Sequence, residues 1–132
     1  VLGRRGLRYA EQGSAVVDFV LVLILLVPLF LGIVQVALVL HVRNTLTSAA
    51  SEGARYAAAV DRPLEAGVAR ARARITGALA DRFARDVTAT AVDVAGTPGV
   101  RVDVHAEVPA LGLWGPGVRL SVSGHAVEEV VP

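Results

Sequence analysis

Few residues in this chain are equipped for covalent or metal chemistry, and their spacing narrows the choice. There is no Cys among the 132 residues, which excludes disulfides, thiolate nucleophiles and Cys-based metal sites. Asp103, His105 and Glu107 alternate along one stretch, and His125 follows in another. Side chains two apart on a strand share a side, so these four are the candidates for a metal site. The same alternation is what any wet strand face shows, and the expectation is that no metal is bound. Ser121 and Ser123 sit in a strand pattern without a Gly-x-Ser-x-Gly elbow, and no phosphate-cradling glycine loop is present. The expectation is a non-enzyme with no cofactor and no small-molecule substrate.

A different kind of site lies near the start, at Gly13-Ser14-Ala15-Val16-Val17-Asp18-Phe19. An acid stands where the chain turns apolar. Asp in a membrane helix costs about 2.5–3.5 kcal/mol at the centre and less near the interface. An interfacial Asp18 that favours a positive helix N-terminus explains the acid. It does not explain the glycine five residues earlier or the small Ser14-Ala15 pair between them.

The elements around this junction follow from composition. The chain is 54% hydrophobic and 19% charged, with 5% aromatics. That excludes disorder and allows one membrane anchor plus one small domain. Residues 19–40 carry no charge, and Gln35 is their one strongly polar side chain. Twenty-two helical residues span about 33 Å, against a hydrocarbon core of about 30 Å. Pro28 and Gly32 are tolerated in a membrane helix. A secretory signal has an apolar run of about 7–15 residues, shorter than this one. Arg4, Arg5 and Arg8 precede the span. Only His41 and Arg43 follow before Arg55, so the positive-inside rule puts the N-terminus in the cytoplasm and residues 41–132 outside.

Residues 1–13 are read as a basic leader, which Gly3, Gly6 and Gly13 keep from forming a stable helix. Residues 14–60 form one helix, the span and its extension. Leu46, Ala50, Gly53, Ala57 and Val60 make a small-residue stripe along it, of the kind that lets helices approach closely. Pro63 ends this helix. Residues 61–132 form a small extracytoplasmic α+β domain. Its helix covers 64–85, with Leu64, Val68, Ala71, Ile75, Leu79 and Phe83 on the apolar face. From Val87 the period changes to two, giving strands at 87–95, 100–108 and 118–127. A turn lies at Gly96-Thr97-Pro98-Gly99. The fold expected is α+β: a long N-terminal transmembrane helix, a second helix and a three-stranded antiparallel meander. Arg70, Arg72 and Arg74 are read as a solvated face. With a net charge of +1 and no interleaved aromatic, nucleic-acid binding is not expected. Leu111, Leu113 and Trp114 are read as a lid over a thin core, or else as a subunit or membrane-interface contact.

The segment Gly13 to Gln35 resembles the class III prepilin signal of type IV-like pilins. Together with Ser51-Glu52-Gly53-Ala54-Arg55-Tyr56-Ala57-Ala58 it is similar to the TadE family of minor pseudopilins from tight-adherence (Flp) pilus systems. The resemblance covers residues 12–58. It implies that a prepilin peptidase cuts between Gly13 and Ser14, and that Asp18, followed by Phe19, pairs with the freed amine and sets subunit register. Glu is usual where Asp18 stands. It also implies helix packing through Ala50, Gly53 and Ala57. The partners implied are membrane lipid, the peptidase, other pilin or pseudopilin subunits and the Tad assembly platform. The location implied is the inner membrane, with passage into a pilus after processing. A rival register at Gly6 and Glu11 lacks the apolar helix after the acid. The alternative function is an uncleaved, single-pass tether for a pilus or secretion component. An exported enzyme would need a catalytic cluster that the sequence does not offer.

Overall fold

The computed structural model describes the backbone of residues 2–59, 62–110 and 117–128, with side chains from residue 10 onward. Helix α1 (Leu2–Ala58) is followed by α2 (Leu64–Ala78), a 3₁₀ turn (Asp81–Ala84) and strands β1 (Asp86–Val94), β2 (Thr97–Val108) and β3 (Val118–Val127). The strands form one antiparallel sheet in the order β1-β2-β3. The α+β class read from the sequence is the one observed. The chain separates into two compact units, Val1–Val36 and Ala37–Pro132.

In the first unit α1 is helical from Leu2. The expectation that three glycines would hold residues 1–13 out of a helix is therefore corrected. Nucleation is the costly step of helix formation, and an established helix propagates through a glycine for about 1 kcal/mol. Residues 10–30 are exposed on every side, and Pro28 lies inside the helix.

The second unit packs helices on one face of the sheet. The α1 residues Val42, Leu46, Ala49, Ala50, Gly53, Ala54, Ala57 and Ala58 are buried. They recur at the spacing of one helix face. Gly67, Ala71 and Ile75 of α2 are buried as well. The inner side of β2 supplies Val100, Val102, Val104 and Val108, all fully buried, and β3 supplies Val122 and Gly124. Arg101, His105 and Glu107 alternate outward, so the period-two pattern fixed which sheet face is wet.

This core is short of large side chains. Its fully buried large residues are Leu46, Ile75, Val42, Val100, Val102, Val104 and Val108, and alanines supply much of the rest. Each such aliphatic contributes about 1.5–3 kcal/mol. Alanines exclude water only when main chains come close, and glycines permit that at two crossings. A Cβ on Gly53 would lie 2.6 Å from the Gly67 carbonyl oxygen, and one on Gly67 would lie 2.6 Å from the Ala57 Cβ. A Cβ on Gly124 would run into the α1 backbone at Ser51 N and at the Ala50 carbonyl carbon.

The end of the second helix and the place of the hairpin differ from the sequence reading. The second helix stops at Ala78 instead of continuing to 85, with Leu79 leaving helical geometry and its N–H donating to the Ile75 carbonyl at 2.7 Å. Thr76 and Gly77 weaken this last turn. Phe83 still reaches the core, but from the 3₁₀ turn. The hairpin turns at Ala95-Gly96, so β2 begins at Thr97. Both turn residues have positive φ (52° and 85°), as a two-residue turn matched to strand twist requires. The Gly96 N–H donates to Asp93 Oδ1 at 2.7 Å. Pro98 is thereby drawn into β2 opposite Asp93. Val94 and Thr97 flank the turn as the hydrogen-bonded pair, so Pro98 stands at a position that needs no N–H toward β1. Arg62 and Pro63 separate the helices as expected. Val60, Asp61 and the Leu111, Leu113 and Trp114 loop lie outside the described residues.

Valine at position 53 or 124 must force these backbones apart. Gly53→Val and Gly124→Val are each expected to lower stability by about 1–3 kcal/mol. Gly77→Ala, where a Cβ would meet nothing within 4 Å, is expected to raise it by about 0.5–1 kcal/mol. Thermal unfolding of the full chain in detergent, followed by circular dichroism, checks the order.

Candidate functional site

The junction at Gly13 lies on an unobstructed helix. Gly13, Ser14 and Asp18 are exposed, as is Phe19 at 64%. A Cβ at Gly13 would meet nothing within 4 Å, so packing gives no reason for glycine there. Ser14 and Asp18 are four residues apart and therefore share one helix face. Side chains in a helix lean toward its N-terminus, which carries the Asp18 carboxylate toward Ser14. The apolar stretch that follows is the one helix among the described residues long and apolar enough to cross a membrane. Its most apolar 18-residue window has a mean hydropathy of 2.9 and is 0% buried. A soluble core helix of this composition would be covered by the rest of the chain.

The Ser51–Ala58 stretch is where α1 receives α2. Gly53, Ala54, Ala57 and Ala58 face inward. Ala50, Gly53 and Ala57, read as a helix-packing stripe, are covered within this chain by α2 and β3. The polar members of the stretch hold the rim. Glu52 Oε1 accepts from Arg70 at 3.0 Å, and Glu52 Oε2 lies 3.4 Å from Arg74 Nε. Arg62 stacks on the Tyr56 ring at 3.8 Å, a cation–π contact beside the point where the two helices join. Arg70 and Arg74 thus share a side, one turn apart, while Arg72 faces solvent.

The polar strand residues do not converge on a metal. Among the described residues, no group of three or more His, Asp or Glu is placed to hold an ion. Asp103 accepts from Arg101 at 2.9 Å, and Glu107 accepts from the Gly117 N–H at 3.2 Å. His105 lies across from Asp86 and Ser121, and His125 pairs with Arg101 further along the sheet.

The sequence reading missed the close approaches of α1 to α2 at Gly67 and to β3 at Gly124. Gly124 had a signal, since an isolated glycine inside an alternating strand marks a place where another backbone comes near. Gly67 had a weaker one, at one turn from Ala71 on the face of α2 that packs.

The family model for TadE-like protein matches residues 13–55. Over this segment the chain is similar to TadE-like proteins. The match covers about a third of the chain, including most of the apolar helix that is long enough to cross a membrane. No curated protein and no solved structure matches the chain.

Glu52 carries both ion pairs at the helix junction. Arg70 and Arg74 are 52% and 59% exposed, so solvent screens the pairs strongly. Glu52→Gln is expected to cost about 0.2–1 kcal/mol. The difference in melting temperature from the parent should shrink in about 1 M salt.

Proposed function

We propose that the chain is a minor pseudopilin of the Tad pilus, cut after Gly13 by a membrane prepilin peptidase and assembled through its N-terminal helix. The observation that carries this reading is that the family match begins at Gly13, a glycine that packing does not explain. A peptidase must unwind its substrate around the scissile bond. Glycine lowers the cost of leaving the helix by about 1 kcal/mol relative to alanine, and the absence of a side chain lets catalytic carboxylates approach the carbonyl.

The cut changes the electrostatics of the helix end. Before it, Arg4, Arg5 and Arg8 keep the N-terminal segment at the cytoplasmic surface, because guanidinium groups do not enter a dry bundle of helices. After it, Ser14 carries an α-ammonium at the start of the apolar helix. Unpaired N–H groups of the new first turn add a partial positive charge. Asp18, one turn on, is the nearest carboxylate in sequence. Its pairing with the amine, in the same chain or a neighbouring one, removes an unpaired charge whose burial would be costly. Lateral packing then becomes possible at one axial register. Phe19 and the aliphatic residues after it form the surface that passes from lipid to neighbouring subunits. The domain at 61–132 faces the extracytoplasmic side, as the basic residues before the span direct.

Mass spectrometry of the chain coexpressed with the matching peptidase should find Ser14 as the first residue, and Gly13→Leu should leave the leader in place. An intact leader on the parent chain would refute processing and leave a single-pass tether. Asp18→Asn is expected to be cut normally but to assemble poorly, read as pilus yield against processed subunit.

Because the chain lacks Cys, Ser123→Cys supplies a unique label. A membrane-impermeant maleimide should react with it in intact spheroplasts. Reaction only after lysis would reverse the orientation.

A further inference from the structure

The wet face of the sheet gathers basic residues at one end. At the end beside the 3₁₀ turn, Arg82, Asp86, His105, Glu107, Arg119 and Ser121 line an open groove of about 610 Å³. Arg85 adjoins it, beside Arg82 and Glu107. The strand register explains the clustering: Asp86 stands opposite His105, His105 opposite Ser121, and Glu107 opposite Arg119. Glu107 already accepts from the Gly117 N–H. Among the described residues, Arg82, Arg85 and Arg119 form no ion pair. Three guanidinium groups thus lie beside two carboxylates, one of them engaged, and their forked donors suit further carboxylates.

The acids at the other end lie on the opposite side of the sheet: Asp93 and Glu128 have the parity of the buried Val100 and Gly124, while Arg101 and His125 stand on the wet face there. Asp93 sits at the hairpin, and β3 leaves the sheet there, with the Glu128 N–H donating to the Pro98 carbonyl at 2.9 Å. Glu129 follows directly in sequence. Nine residues of extended chain separate Arg119 from Glu128, about 30 Å. Glu128 of the same chain therefore cannot reach this groove.

We propose that the groove at Arg82, Arg85 and Arg119 receives the Glu128-Glu129 segment of a second copy, a head-to-tail contact between domains. The same patch does not meet itself in such a contact, so the interface is heterologous and can repeat from copy to copy. It does not depend on cleavage after Gly13, since neither surface involves the leader.

The test mixes two full-length chains in detergent, one carrying Ser121→Cys and the other Val130→Cys, under mild oxidation. Disulfide-linked heterodimers are expected, with little product from either chain alone. Arg82→Glu with Arg119→Glu on the first chain should reduce the heterodimer about tenfold, equivalent to about 1.4 kcal/mol. Glu128→Arg with Glu129→Arg on the second chain should restore it. That recovery also shows the altered groove chain to be folded. The same yields should appear with Gly13→Leu in both chains, which separates this contact from the processing reading. No heterodimer, a yield unchanged by charge reversal, or products formed only between Ser121→Cys chains would each overturn the proposal.

Discussion

Main-chain proximity at the glycine crossings is the constraint on which the rest of the C-terminal unit depends. A core of alanine and valine has little side-chain volume to bridge a gap, and dispersion fades within an ångström of lost contact. Gly53 against Gly67, and Gly124 against the backbone at Ala50 and Ser51, remove the Cβ atoms that would hold the layers apart. With those contacts made, Leu46, Ile75 and the valines of β2 close the interior. The Glu52 ion pairs and the Arg62–Tyr56 stack sit at the margin of one crossing. They fix its angle more than they supply its energy.

Periodicity was readable where one residue spacing dominated. The uncharged run at 19–40 gave a helix, the two-residue alternation of 100–108 gave a strand and its buried face, and the stripe at 46–57 falls on a side of α1 that is buried. Errors fell where a local preference competed with a cooperative one. Glycines in the leader lost to helix propagation. Gly96-Thr97-Pro98-Gly99 looked like a turn by composition. The register that suits strand twist instead places the turn at Ala95-Gly96, even though Ala95 must adopt a positive φ. The end of α2 has no strong stop signal, only a weak last turn, so its apolar spacing carried the expected helix too far. The close approaches at Gly67 and Gly124 depend on which elements cross, and no single stretch of sequence states that.

The candidate site divides in the same way. Gly13, Ser14 and Asp18 were visible because charge and small size are out of place at the mouth of an apolar run. The fold adds that nothing crowds them. Glycines of two kinds are thereby distinguished: those at 53, 67 and 124 answer to packing inside the chain, while a Cβ at Gly13 would meet nothing within 4 Å. The basic groove was hidden from the sequence, since Arg82 and Arg119 lie far apart in the chain and meet only through strand pairing.

The residues just after the apolar run do two jobs at once. Val42, Leu46 and Ala50 continue the helix that carries the hydrophobic stretch, and they are also a wall of the folded interior. The end of the greasy segment is therefore the wrong place to trim for a water-soluble fragment. A truncation that discards residues 42–58 would strip the sheet of its cover and leave Val100, Val102 and Val104 facing water. The useful scissors point lies upstream, near Ala37, where the compact unit begins.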